Sequence, residues 1–472
     1  NMPAAGTCRW NMPAAKPAAR TSSSSTQAFL RGAPGAALRS SFYSNPSARQ
    51  GLGSLFGAVS EAADTAQRAL KGAAHRDWVR LDDCALRGQL EVLLSEVTDY
   101  GAAPVRLIDA EYLVRLASSG MIMARRQDLP EEAFVSPAII QGREQIRFRG
   151  QPHALRICVI SHTWLQPDHP DPMGTNLRII ALATGALLKK FEGKIGVFID
   201  FMSVMQKSKH GQRTDTETKL FKKALDQMSM LYAHPKTWVF KLTKMPPGYP
   251  HGFKFPKDKP PNQAAYYERG WCFMESSVAN LAKDSTLVGD LGPLADLGNP
   301  NSLVQSPSEI SAILHSLNYV TLLRKCFTEA HRQPPIVPDE FTQLLDSKSF
   351  TSKNADLAIV AKGYEIVFDS IMGEVDELFL PSLGWGDEAA GQLARVIEWR
   401  MPRLKRLYLF GNKIGDKGAK ALEAAILTKR APLLNELWLE DNPASEECKE
   451  ALQAALKAIR TSTDGRDVTQ GT

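Results

Sequence analysis

Three short clusters carry side chains capable of chemistry: Ser161-His162-Thr163-Trp164, Asp200 with Ser203, and Arg269-Gly-Trp271-Cys272-Phe-Met-Glu275. A carboxylate beside a reacting centre stabilises a developing cation or orients a water. Trp271 and Glu275 are four residues apart, so on a helix they share a face. Each residue also has a structural reading. Glu275 is otherwise an exposed helix carboxylate or the partner of a local Arg or Lys, Trp271 a core aromatic, and Asp200 a cap for the turn after it. Cys272 reads as a small buried hydrophobe rather than a nucleophile, because no histidine lies near it in sequence. Ser161 and His162 do not form a catalytic dyad, since neighbours on a strand point to opposite faces.

His162, Asp168, His169 and Asp171 are of the types that bind zinc or manganese. Pro167, Pro170 and Pro172 make that segment a rigid turn instead, and no metal is expected. No G-x-x-x-x-G-K-[S/T] phosphate loop occurs.

The elements that must position these residues alternate. Leu155–Ser161, Ile195–Asp200 and Thr237–Leu242 are β-branched runs that predict strands, and Thr286-Leu-Val288 begins a fourth. Helices are predicted over Thr175–Phe191 (capped by Thr175 or Asn176), Thr214–Ala233 and Ala264–Ala282. Alternation of this kind makes an α/β domain on a parallel sheet. Ligands bind such sheets outside the carboxyl ends of the strands, where all three clusters fall. The loop from Lys244 to Asn262 follows the third strand and carries six prolines, Tyr249, Phe253 and Phe255, with Lys254, Lys257 and Lys259 among them.

Trp271-Cys272-x-x-Glu275 on the helix after the third strand resembles the W-C-x-x-E motif of Toll/interleukin-1-receptor (TIR) domains, and Val197-Phe-Ile-Asp200 resembles their second-strand phrase. The wording is similar, too, to the fungal heterokaryon-incompatibility (HET) domain. The matching residues are Ser161 with Trp164, Ile199-Asp200 with Gln206, Met228 with Leu231-Tyr232, and Arg269 with Trp271 and Glu275. The resemblance covers about residues 150–290. It implies cleavage of the nicotinamide–ribose bond of NAD by Glu275, with NAD as substrate rather than cofactor. Ser161, His162, Trp164, Asp200, Ser203, Arg269 and Trp271 would line the site. It also implies, as the alternative, a scaffold without catalysis, because many members of both families are non-catalytic adaptors.

Residues 375–459 contain an internal repeat. Val375–Leu380, Leu404–Leu409 and Leu434–Leu439 are three copies of one strand phrase, each followed by a turn and an Ala/Leu helix. Asn412 and Asn442 occupy turns where a side-chain amide can satisfy free backbone groups. The pattern resembles the ribonuclease-inhibitor-like leucine-rich repeat. That likeness implies a protein partner on the strand face. Three units are near the minimum for stability, so packing on the preceding helices is expected.

The chain has 57 basic and 51 acidic residues, a net charge of +6. Arg9, Lys16, Arg20, Arg31, Arg39 and Arg49 fall within residues 1–60, which contain no Asp or Glu. The remainder is therefore neutral, which argues against nucleic-acid binding. Residues 1–53, rich in Ala, Ser, Gly, Pro and Arg, read as a disordered arm or an organelle transit peptide. The chain opens on Asn, so its natural start is expected upstream. Helical patterns follow at 55–70, 86–97 and 110–118. The longest apolar run, Ile179–Leu188, is shorter than the roughly 18 residues a membrane span requires. Six cysteines without a C-x-x-C pair read as reduced thiols. The expected organisation is an arm (1–53), a helical lead-in (54–150), a TIR/HET-like α/β domain (151–300), a helical connector (301–370), leucine-rich repeats (371–460) and a tail (461–472). The expected function is signalling in the cytoplasm, or in a plastid or mitochondrion if the arm is a leader. It runs through NAD cleavage or through self-association and partner binding alone.

Overall fold

Runs that are apolar on both sides of the pleat must be covered on both faces, and this requirement organises the structure. The computed structural model describes residues 93–94 and most of 102–464; the longest stretches left out inside that range are 245–256 and 298–311. The arm, the helices expected at 55–70 and 86–97 (save Leu93 and Leu94), and Tyr249, Phe253, Phe255, Lys254 and Lys259 lie outside the described residues. All described residues belong to one compact unit.

The strands are β1 (Ile108–Asp109), a hairpin of β2 (Ile146–Phe148) and β3 (Gln151–His153), then β4 (Arg156–His162), β5 (Ile195–Phe198), β6 (Trp238–Leu242) and β7 (Val288–Asp290). Five of them form one sheet in the order β1-β5-β4-β6-β7. β4 to β7 run parallel, with Ser161 opposite Lys241 and Lys241 opposite Asp290. β1 joins antiparallel to β5, so the sheet is mixed rather than purely parallel. Two residues are too few to show an alternation, which is why β1 is illegible in sequence.

The helices of this part are α1 (Ala110–Ser118), α2 (Thr175–Lys190), α3 (Asp215–Gln227), α4 (Ser229–Ala233) and α5 (Gly270–Ala279). Ile157, Val159, Phe198 and Val239 pack with Leu231, Tyr232, Met274 and Val278 on one face of the sheet. Cys158, Ile160, Val197 and Phe240 pack with Leu113, Leu177, Ile180 and Leu187 on the other. Each such side chain contributes about 1.5–3 kcal/mol by leaving water.

Several expected boundaries move. The helix expected over Thr214–Ala233 is two, broken at Met228. The helix expected from Ala264 starts at Gly270, after a 3-10 turn over Tyr266–Glu268 and an extended Arg269 that bridges to Ser349. Gly270 is required there, because a Cβ would sit 1.8 Å from the Phe350 ring. The fourth strand, expected to begin at Thr286, starts at Val288 and runs to Asp290. Thr175 and Asn176 do not cap α2. The carboxylate of Asp171 accepts from the amides of Thr175 and Leu177, both at 2.9 Å.

Beyond the sheet come α6 (Tyr319–Cys326), α7 (Pro338–Leu345) and α8 (Lys353–Glu374). A stack of Phe273, Phe341 and Tyr364, with ring centroids 5.0 and 3.7 Å apart, ties α5 to α7 and α8. Three strand–turn–helix units follow: β8 (Glu377–Phe379) with α9 (Asp387–Trp399), β9 (Arg406–Tyr408) with α10 (Asp416–Leu427), and β10 (Glu436–Trp438) with α11 (Glu446–Asp464). Their strands pair in parallel with Leu378, Leu407 and Leu437 in register. The first core continues unbroken from the sheet through Tyr364 and Phe368 into these leucines.

The repeat turns behave as the asparagines foretell. Asn412 Oδ1 accepts from the amides of Leu383 and Trp385, and its Nδ2 donates to the carbonyls of Leu380 and Leu409. Asn442 accepts from Ile414 and donates to Leu409 and Leu439. Each amide stitches its turn to the previous one. Asn412→Ala should strand three buried backbone groups, those of Leu380, Leu383 and Trp385, and cost about 2–4 kcal/mol in urea unfolding. A loss below about 1 kcal/mol would show that the turns hold without the amide.

Candidate functional site

β4 presents successive side chains to opposite faces. Ser161 continues the series Ile157 and Val159, and its Oγ lies 2.5 Å from Glu275 Oε2 on α5. The same Oγ lies 2.5 Å from Tyr266 Oη. Tyr232 is hydrogen-bonded to the Glu275 carboxyl and donates to the carbonyl of Ile160 at 3.1 Å. Glu275 is only 6% exposed, and Ser161 is wholly buried. Glu275 is therefore neither a surface carboxylate nor the partner of an Arg or Lys.

Burial pushes the Glu275 carboxyl up to about 8, and the nearby charge of Asp200 pushes it the same way; hydrogen bonds to Ser161 and Tyr232 oppose them. At neutral pH the group is thus mainly protonated. The Glu275 carboxyl accepts from Ser161, whose hydroxyl also bonds that of Tyr266. Burial also raises both tyrosines and the Cys272 thiol well above their ordinary values. Cys272 Sγ faces the carbonyl of His162 at 3.7 Å, as a small buried hydrophobe does.

A second constellation adjoins the first. Asp200 follows β5 and opens the one-turn helix Asp200–Ser203. Its Oδ2 accepts from Trp164 Nε1 at 2.7 Å, and its Oδ1 lies 3.2 Å from His162 Nε2. Oδ1 also accepts from the amide of Phe201, so Asp200 both starts its turn and gathers two side chains from the end of β4. His162 Nδ1 is buried and has no hydrogen-bond partner among the described residues. The Gln206 amide folds over this turn onto the carbonyls of Asp200 and Val204.

Three candidate residues serve the framework. Arg269 caps the start of α5 and donates to the carbonyls of Trp164, Asn262 and Ala264, at 2.5, 2.6 and 2.9 Å. Ser203 Oγ accepts from the amide of Ile199 and closes its own turn. Trp271 is half-buried and packs against the first core. The histidine and aspartates of the proline turn do not converge: His169 reaches the carbonyl of Met123 and the amide of Asp171, while Asp171 caps α2. Among the described residues no group of three acidic, histidine or cysteine side chains could hold a metal ion.

Tyr266 and Lys241 were missed. Lys241 is wholly buried on β6, its Nζ 3.3 Å from Tyr267 Oη and 3.5 Å from Ser276 Oγ. Burial, with Arg332 acting the same way, brings its amine down to about 8 against the pull of Asp290. Asp290 in turn accepts from Thr243 Oγ1 at 2.5 Å and from the amide of Gly292 at 2.8 Å. A lysine inside the apolar strand Trp238–Leu242 was the available signal. Polar side chains thus line the carboxyl ends of β5, β4, β6 and β7 in turn, where parallel sheets bind ligands.

No family model matches the chain, and no curated protein is significantly similar to it. No helix among the described residues is long and apolar enough to cross a membrane. The four described cysteines, Cys158, Cys272, Cys326 and Cys448, are free and buried.

The raised Glu275 value has a consequence for stability. Between the ordinary carboxyl range and about pH 8 the folded protein holds a proton that the unfolded chain has released, so stability falls as pH rises through that window. Glu275→Gln removes the titration and keeps a hydrogen-bonding group. Its Tm relative to wild type should climb by several degrees between pH 5 and pH 9, the linkage amounting to a few kcal/mol. Parallel Tm curves for the two proteins would contradict the buried, protonated carboxyl.

Proposed function

We propose that the chain is a TIR/HET-like signalling protein that cleaves the nicotinamide–ribose bond of NAD at Glu275, and that its leucine-rich repeats bind a protein partner. The observation that carries the proposal is the 2.5 Å contact of Ser161 and Glu275, residues of two separate motif pieces, at the carboxyl edge of the sheet. Asp200, from a third piece, is joined beside them to Trp164, which shares the piece of Ser161.

The chemistry suits this group. A pyridinium brought to the site favours the ionised form of Glu275 and releases its proton. As the glycosidic bond breaks, its electron pair leaves with the nicotinamide nitrogen, and the ribose becomes an oxocarbenium-like cation that the carboxylate stabilises. A water then adds to that carbon and gives its proton to Glu275. Asp200, held by Trp164 and facing His162, lines the site with Ser161. Arg269 acts as a positioning residue that fixes the loop before α5, as Ser203 fixes the turn after β5, and Trp271 anchors the helix from the core side.

Purified protein incubated with NAD should release nicotinamide. Glu275→Gln should lose at least about a hundredfold, while the wild-type rate rises with pH toward a plateau above about 8. No nicotinamide from the wild type, or undiminished release from Glu275→Gln, overturns the enzymatic reading.

One observation favours a second reading. The catalytic candidate is 6% exposed and fully hydrogen-bonded, as a fold-specifying polar group would be. On that reading the sheet domain self-associates and only the repeats engage a partner. Glu275→Gln would then leave partner binding unchanged, whereas Tyr408→Glu, on the repeat strand face, would abolish it.

A further inference from the structure

The outward face of the repeat sheet is built of aligned side chains. Phe379, Tyr408 and Trp438 are in register across β8, β9 and β10. Their ring centroids are 5.5 Å apart for Phe379 and Tyr408 and 6.1 Å for Tyr408 and Trp438, the latter pair stacked; Phe410 lies 6.1 Å from Phe379. Trp438 is 45% exposed, a large area for an indole left to water.

Charge gives this ladder a direction. At the β8 end Glu377 is paired with Arg406 of β9 at 2.8 Å. At the β10 end Glu436 opens the strand in register with Arg406, and Glu440 lies two residues beyond Trp438, past the strand's end; both are exposed, and neither carboxylate has an ion-pair or hydrogen-bond partner among the described residues. An indole face between two unpaired carboxylates suits a guanidinium, which stacks on the ring and reaches both acids. Alternate residues of an extended peptide are about 6.6 Å apart, close to the spacing of the rings. A strand crossing the repeats would therefore set one side chain on each ring.

Resting on the reading that the repeats bind a protein partner, we infer that this face takes an extended partner segment with an arginine over Trp438 and, at two-residue steps, apolar side chains over Tyr408 and Phe379. The carboxylates select the cation, the indole selects its planar form, and Phe379 and Phe410 exclude charge at the other end.

The test uses the full chain and a fluorescein-labelled peptide, Gly-Val-Ser-Val-Ser-Arg-Gly, followed by anisotropy, with versions carrying Lys or Glu in place of Arg. The Arg peptide should bind best, Lys several-fold weaker and Glu not measurably, and affinity should fall with added salt. Trp438→Ala should weaken the Arg peptide at least about fivefold, and the pair Glu436→Lys with Glu440→Lys should reverse the preference to the Glu peptide. All three positions are exposed, so circular dichroism should show these variants folded. No binding up to about 1 mM, equal binding of Arg and Glu peptides, or indifference to both variants overturns the inference. A protein partner lost on Tyr408→Glu but retained by the charge-reversed pair also overturns it, and leaves the repeats as a binding platform.

Discussion

The hydrogen bond between Ser161 and Glu275 joins the end of the central strand to the helix after the third parallel strand, inside a core from which water is excluded. A buried carboxyl that lacked partners would cost several kcal/mol. Here Ser161 and Tyr232 supply them, and neutrality removes the cost of an ion. The arrangement then dictates its surroundings. Helix α5 must begin where Arg269 grips three carbonyls, and Gly270 must lack a Cβ so that Phe350 can close over the helix start. The price of this precision is a group poised to titrate near pH 8, which a cationic ligand can shift.

The two-residue period of β4 divides the edge. Ser161 meets the carboxyl on α5, and His162 meets Asp200 after β5, so one strand end feeds two adjacent polar constellations. Lys241 and Asp290 continue the row on β6 and β7. Every charged member is hydrogen-bonded or faces an opposite charge, which is the condition for keeping such groups in a core.

Local signals were strong enough to read β4, β5, β6 and the repeat phrases from sequence, because β-branched runs and leucines at fixed spacing report burial directly. The asparagine turns were legible for the same reason: Asn412 and Asn442 recur at one register. What the sequence concealed depends on long-range contact. β1 is two residues long and owes its existence to β5. The break at Met228 has no Gly or Pro to announce it. The resemblance put Arg269 in the lining of the site, yet it donates to carbonyls brought in from Trp164 and Asn262. Tyr266 sits in a turn without periodicity and becomes part of the site only when α5 docks on β4.

The repeats are fastened to the sheet through α7 and α8, with the indole of Trp385 donating to the carbonyl of Arg332 and the aromatic stack continuing the sheet core. The repeat strands and the carboxyl edge therefore share one hydrophobic core. The claim on which the account rests is the protonation of one buried carboxyl. Infrared titration of the wild type against Glu275→Gln reads it directly. A carboxylic acid carbonyl band present at pH 7, fading as pH rises through about 8 and missing from the variant, is the expected result. An ionised Glu275 at pH 6 would contradict it.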